Sequence, residues 1–352
     1  MKPVRTSGFV LPYVLVVIAI LAVAGTIAAN RLQNTIGALS AINRAEMTSR
    51  MIDAAEADVI FALLGASTVN GGFDLNPNSI AKTEFGFLDD RGRLVDKRDA
   101  NAIPKDIWPI KKGLRQVQTE NGPVIVTLQD LSGLPSLNNP RALYLDAALM
   151  SSGVRRESVS RLLTYLGDYI DGDDRKSFGG AERADYTLVN MPPPSNSPIR
   201  SYGELGRIMG WAEALETIDM TRLKTLVTLN NSAPFRNSLM SDELKALPSV
   251  SRALRSETPA IGANRNSGDL FAAAGQTKTF PSRSVRVIFF AARGNGQWDK
   301  RIIELSRQTG HVKNPYRRLW VLQTTVLEND LEFDPAQMAE LEHVIDPTSL
   351  RP

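Results

Sequence analysis

The chain has 352 residues, with 41 Lys and Arg against 38 Asp and Glu, and it contains no cysteine. The missing thiols exclude disulfides, thiolate zinc sites and cysteine nucleophiles. A formal net charge of +3 and 43% hydrophobic residues exclude wholesale disorder, and charge spread this evenly leaves no basic footprint for nucleic acid.

Residues 9–29 read FVLPYVLVVIAILAVAGTIAA and carry no charge. They follow a short leader that holds Lys2 and Arg5 and ends in Gly8. The run matches the roughly 20 apolar residues a helix needs to cross a bilayer. The leader's charges predict a cytoplasmic N-terminus, with the rest of the chain across the membrane. Arg31, Arg44 and Arg50 weaken that bias. Beyond Ala29 the apolar pattern narrows to Leu32, Ile36, Leu39, Ile42, Met47, Met51, Ala55, Val59 and Leu63, with charged residues between. This is the pattern of an amphipathic helix continuing from a membrane helix. No proline interrupts it between Tyr13 and Leu64, so a single helix of about 50 residues is predicted. Three readings fit this N-terminus: a plain anchor, a secretory signal cleaved after Ala22-Val23-Ala24, or a prepilin-type leader.

Further along, Gly65 and Gly71-Gly72 end the helix, and Asp89–Gly92 between 84–88 and 93–95 predicts a hairpin. Pro123–Leu131 is the first clear strand, and Ser132–Pro140, with Asn138 and Asn139 as turn and capping residues, is its exit loop. The period then becomes helical. Helices are predicted over Arg141–Ser151 and Arg155–Ile170, over a third segment capped by Ser201 with Glu204 three residues on, and over Thr221–Leu229 and Asp242–Leu247. Strands return at Ser284–Ala292, Arg301–Arg307 and Arg318–Leu327, the first two joined through Gly294-Asn295-Gly296. Residues 329–352 read as a tail with at most one short helix.

Several of these stretches carry a resemblance. The basic leader, Gly8, Phe9 and the unbroken apolar run resemble the class III signal of type IV pilins and pseudopilins. In that family a prepilin peptidase cuts after the glycine and methylates the new N-terminal residue, which implies processing between Gly8 and Phe9. Four further pieces resemble, in order, the K subunit of type II secretion systems, the largest minor pseudopilin. They are VTLQDLSGLPSLNNP, LLTYLGDYIDGDD followed by Gly179-Gly180-Ala181-Glu182, NSPIRSYGELGRIMGW, and LVTLNNSAP.

The resemblance implies an α+β fold, with a pilin-like long N-terminal helix on an antiparallel sheet and a large all-helical domain inserted in that sheet. The expected boundaries are leader 1–8, transmembrane part 9–29, first pilin-like part 30–131, helical domain 132–280, C-terminal strands 281–328 and tail 329–352. It implies a non-enzymatic subunit that starts the periplasmic pseudopilus and caps its tip. The partners would be the I-, J- and H-like minor pseudopilins, the major pseudopilin, the prepilin peptidase and the bacterial inner membrane, crossed once with the C-terminal part periplasmic. Pilin-like subunits usually carry Glu at the fifth mature position, where this chain has Tyr13. A carboxylate in lipid is costly without a partner, and a tip subunit has no subunit ahead to offer one.

Asp171, Asp173 and Asp174 crowd the end of the second predicted helix, with Asp168 a turn earlier and Glu182 and Asp185 after a Gly179-Gly180 bend. Carboxylates this dense repel unless a cation gathers them, and calcium takes six to eight oxygens in flexible geometry. The spacing is not that of an EF-hand. A solvated acidic loop and a membrane-anchored metal-dependent hydrolase are the alternatives. The resemblance implies calcium, with Asp171, Asp173, Asp174 and Glu182 as ligands. His311 and His343 are the only histidines, and no G-x-S-x-G elbow accompanies them. Trp211, Trp298 and Trp320 read as core or sheet-face residues.

Overall fold

The computed structural model describes residues 10–69, 71–75, 82–83, 86–87, 107–110, 113–230, 235–256, 281–307, 316–331, 333–335 and 344–345. Helix α1 spans Val10–Gly65, as the proline-free pattern predicts. From Tyr13 it is apolar enough to cross a membrane, with a mean hydropathy of 2.3 over its most apolar window and none of that window buried. Tyr13 is 71% exposed. The narrower stripe divides in two. Met51, Ala55, Val59 and Leu63 are buried, whereas Leu32, Ile36, Leu39, Ile42 and Met47 stand exposed.

Short strands follow: β1 Ser67–Val69, β2 Gly72–Asp74, β3 Lys82–Thr83, β4 Gly86–Phe87 and β5 Ile107–Pro109. β1, β2 and β5 form one small sheet and β3 pairs with β4. The Asp89–Gly92 turn predicted from the sequence lies outside the described residues. The main sheet contains β6 Arg115–Thr119, β7 Gly122–Asp130, β8 Ser284–Gly294, β9 Gln297–Arg307, β10 Tyr316–Leu327 and β11 Val344–Ile345. Its order is β10-β9-β8-β7-β6-β11. Every pairing is antiparallel except that of β11 with β6. The β8–β9 turn has positive φ at Gly294, Asn295 and Gly296, the geometry for which glycine and asparagine are selected in tight hairpins.

Alternation along the strands fixes which face meets what. Val124, Val126, Leu128, Val285, Val287, Phe289, Ile303 and Leu305 share one core with the buried stripe of α1. Each fully buried aliphatic side chain there contributes about 1.5–3 kcal/mol. Ile125, Ile288, Phe290 and Ile302 form the opposite face with Trp298, Leu331 and Phe333. Phe333 meets the Phe290 ring edge-on at 5.0 Å between centroids. The segment after β10 therefore covers the sheet, and β11 joins its edge. Within the expected tail, Leu331 and Phe333 bury apolar area against the sheet and β11 satisfies backbone groups at its edge.

Polar contacts set the seating of α1. The Thr48 hydroxyl donates to Asp299. The Arg301 guanidinium meets Asp53 and Glu56, and Arg318 also reaches Glu56. The Tyr316 hydroxyl donates to the Leu63 carbonyl at 3.1 Å.

β7 and β8 are neighbours in the sheet, and between them in the chain come α2 Leu145–Ser151, α3 Arg156–Ile170, α4 Arg183–Leu188, α5 Trp211–Leu215, α6 Met220–Leu226, α7 Asp242–Ala246 and α8 Pro248–Ser256. These helices share a core that includes Leu149, Leu162, Leu166, Tyr186, Leu205 and Trp211. The Ser201–Glu204 pair does cap a helix, with the Ser201 amide donating to Glu204 at 3.1 Å, but Tyr202–Arg207 is a 3-10 turn. α4 and α5, at six and five residues, are too short to show a helical period. Asn138 is more than a turn residue: it accepts from the Ile199 amide at 2.8 Å and donates to the Ile199 and Leu229 carbonyls at 2.9 and 2.7 Å.

A buried ion pair joins the helices to the sheet. Arg286 donates to Glu304 at 2.6 Å, with the two side chains 1% and 0% exposed. Arg286 also donates to the Thr225 and Val227 carbonyls at 2.7 and 2.8 Å, and the Thr228 hydroxyl donates to Glu304 at 2.9 Å. Each charge thus finds several hydrogen bonds, which a buried pair needs to offset its desolvation.

Candidate metal centre

The amphipathic stripe of α3 faces the helical core through Val159, Leu162 and Leu166, and this rotation places Asp168 inward. Its side chain is 1% exposed. Asp171 is the C-cap, leaving the helix with extended backbone while its amide still donates to the Gly167 carbonyl at 3.0 Å. The chain then loops outward and returns through Gly179, whose φ is +75°. Gly180 passes so close to Asp168 that a Cβ there would lie 1.8 Å from Asp168 Oδ2. This approach lets Asp168 Oδ2 accept from the Ser177 and Ala181 amides at 3.2 and 2.9 Å. Glu182 then forms the N-cap of α4, 5% exposed, with its amide donating to Asp185 Oδ2 at 2.9 Å.

One carboxylate oxygen each from Asp168, Asp171 and Glu182 lies within 4.8 Å of the others. Among the described residues no cation pairs with any of these three carboxylates. Lys176, in the same loop, bonds to Asp185 at 2.6 Å. Asp168 Oδ1, Asp171 Oδ1 and both oxygens of Glu182 are buried without a hydrogen-bond donor, as is Asn196 Oδ1. Buried acceptors are almost always satisfied, and carboxylates gathered in a buried place without a counter-charge are costly. Burial and the charges of Asp168 and Asp171 push the Glu182 carboxyl up to about 7. Burial, then Asp173 and Asp168, raises Asp171 as well. Lys176 holds Asp185 low.

Of the four ligands that the sequence resemblance implies, Asp171 and Glu182 stand in this group. Asp173 and Asp174 do not. Both are exposed; Asp173 Oδ1 accepts from the Arg175 amide at 2.8 Å and Asp174 Oδ1 from the Asn196 amide group at 3.1 Å. They close the loop around Asn196 rather than face its interior. Asp168 was legible as a neighbour of the cluster but not as a member, because its place depends on the return of Gly180. Its spacing of three residues from Asp171 was the available signal, since i and i+3 share a helix face. All-oxygen donors of this kind suit a hard cation. Tyr13 lies on the exposed part of α1, and Gly8, Phe9, His311 and His343 fall outside the described residues.

Residues 126–231 match the family model of type II secretion system protein K. The match begins inside β7, crosses the acidic loop and contains three of the motifs that carry the resemblance in full, with most of the fourth. The matched family is a component of a secretion machine and not an enzyme family. No curated protein matches the chain. Among solved structures, a chain of the GspK-GspI-GspJ complex from the enterotoxigenic Escherichia coli type 2 secretion system is similar at 17% identity. The likeness covers 61% of this chain and 85% of that one, with a TM-score of 0.40.

Proposed function

We propose that this chain is a K-type minor pseudopilin, a non-enzymatic subunit that starts the periplasmic pseudopilus of a type II secretion system and caps its tip. The observation that carries the reading is the protein K match over residues 126–231. The long helix that leaves the sheet and continues as a candidate membrane span is the companion feature a pilin-like subunit needs. On this reading the helices between β7 and β8 are a domain inserted in a pilin-like sheet, residues 132–280 by the sequence boundaries. The chain crosses the inner membrane once, with its N-terminus cytoplasmic and the sheet periplasmic. The I-, J- and H-like subunits, together with the major pseudopilin, pack along α1 through the exposed Leu32, Ile36, Leu39 and Ile42.

The acidic loop is proposed as a calcium site held by Asp168, Asp171 and Glu182, with backbone carbonyls and water completing the shell. The ion would supply the charge that these buried oxygens lack. The residues do the rest: the Ser177 and Ala181 amides orient Asp168, and Asp173 and Asp174 tie the loop to neighbouring backbone and to Asn196. Calcium here orders a loop and performs no reaction.

Two measurements on the full chain, expressed with its own secretion genes, test the subunit reading. N-terminal sequencing of the mature protein is expected to begin at Phe9, and Gly8→Val to leave the precursor uncut. Co-purification from membranes is expected to recover the I- and J-like subunits. A mature chain that begins at Gly25 and recovers neither partner would overturn the proposal.

A further inference from the structure

A groove of about 680 Å³ opens among α2, α3, α6, α7 and α8. It is lined at the N-terminal end of α3, whereas the acidic loop lies at the C-terminal end of the same helix, about 20 Å away along its axis. Three guanidinium groups line it, those of Arg156, Arg222 and Arg252, above a floor that includes Met150, Leu226 and Leu247. Glu243 is the only acidic residue in the lining. Arg156, Arg222 and Arg252 form no ion pair among the described residues. Arg222 Nε donates to the Ser151 hydroxyl at 2.9 Å. The first residue of α3, Arg156, and the first two of α8, Pro248 and Ser249, lie on the rim. The last residues of α2, α6 and α7 line it as well, so helix ends of both signs border the groove and its positive excess comes from the arginines.

Three of the four charged residues in the lining are arginines, set among apolar side chains. The volume falls in the range of ligand pockets and far exceeds that of a single ion. Arginine recognises carboxylates through paired, parallel hydrogen bonds. We propose that this groove binds an acidic peptide segment of a partner protein, its carboxylates on the three arginines and an intervening apolar side chain on Met150, Leu226 and Leu247. Lysine-rich or neutral segments are excluded by the same charges. The site stands apart from the acidic loop and does not rest on calcium.

The test uses the full chain in phosphatidylcholine nanodiscs, whose neutral headgroups compete for neither charge. The probe is a fluorescein-labelled peptide alternating glutamate with leucine, and the control replaces each glutamate by glutamine. Fluorescence anisotropy is expected to show the acidic peptide binding about tenfold more tightly than the control, with affinity falling as salt rises. Arg156→Gln, Arg222→Gln and Arg252→Gln are each expected to weaken binding about threefold to fivefold. The combined variant is expected to lose it, while Arg200→Gln, in the loop before Ser201, changes nothing. A gain-of-binding variant guards against misfolding: Arg156→Glu with Arg252→Glu should bind a lysine–leucine peptide that the parent ignores. Equal binding of both peptides by the parent, binding that survives the combined variant, or no binding of the acidic peptide at millimolar concentration would overturn the assignment.

Discussion

Replacing Glu182 by glutamine should make the calcium-free protein more stable while making it blind to calcium. In the folded chain burial and the Asp168 and Asp171 charges raise this carboxyl from 4.5 to about 7. A carboxyl raised on folding binds more protons in the folded than in the unfolded state between those two values. Calcium-free stability must then fall as pH rises from about 4.5 to about 7 and stay low above it. The displacement corresponds to about 3 kcal/mol at most, and water at the outer side of the loop screens it to about 1–2 kcal/mol. Glu182→Gln keeps the shape and removes the charge. At pH 8 without calcium it should exceed the parent by that amount, and the slope between pH 4.5 and 7 should flatten.

Calcium acts in the opposite sense on the parent. At about 5 mM calcium and a Kd of about 10⁻⁴ M, binding to the folded state alone adds about 2 kcal/mol. That corresponds to a rise in Tm of about 4–8 °C for a folded unit of this size. Differential scanning calorimetry of the parent and variant at pH 5, 6, 7 and 8, with and without calcium and with magnesium as a control, measures every term. A calcium-induced shift that survives in Glu182→Gln would refute the reasoning. So would calcium-free parent and variant that melt together at pH 8.

Two further substitutions probe how the site and its support are built. Gly180→Ala places a Cβ 1.8 Å from Asp168 Oδ2, so the loop must retreat from the Ser177 and Ala181 amide bonds. A loss of about 1–3 kcal/mol with no calcium-induced Tm shift is expected by calorimetry. Glu304→Ala strands the Arg286 charge in the interior and should cost about 3–5 kcal/mol in urea unfolding, whereas Arg286→Met with Glu304→Met should lie close to the parent.

The sequence by itself determined whatever depends on local period. A run of 21 uncharged residues followed by a one-sided stripe without proline could only be one long helix. β7, β8 and β9 were readable because alternating apolar residues were bounded by Asn, Gly and Pro. α3 was readable because its stripe repeats over four turns. The four motifs that resemble the K subunit, held in order, are likewise local in sequence. Periodicity says nothing about partners distant in sequence, and there tertiary structure decided. β6 and β11 are short and mixed in polarity, and they are strands because a sheet edge lay beside them to satisfy their amides. Arg286 and Glu304 are charged residues within two strands, and they are buried because the Thr225–Thr228 segment covers them. The acidic loop shows the same division. Six carboxylates within eighteen residues announced a charged loop. Which of them turn inward was set by the rotation of α3 on its core and by the passage of Gly180 over Asp168. Burial of a particular oxygen is a property of what packs above it, and that is fixed only when the chain has returned.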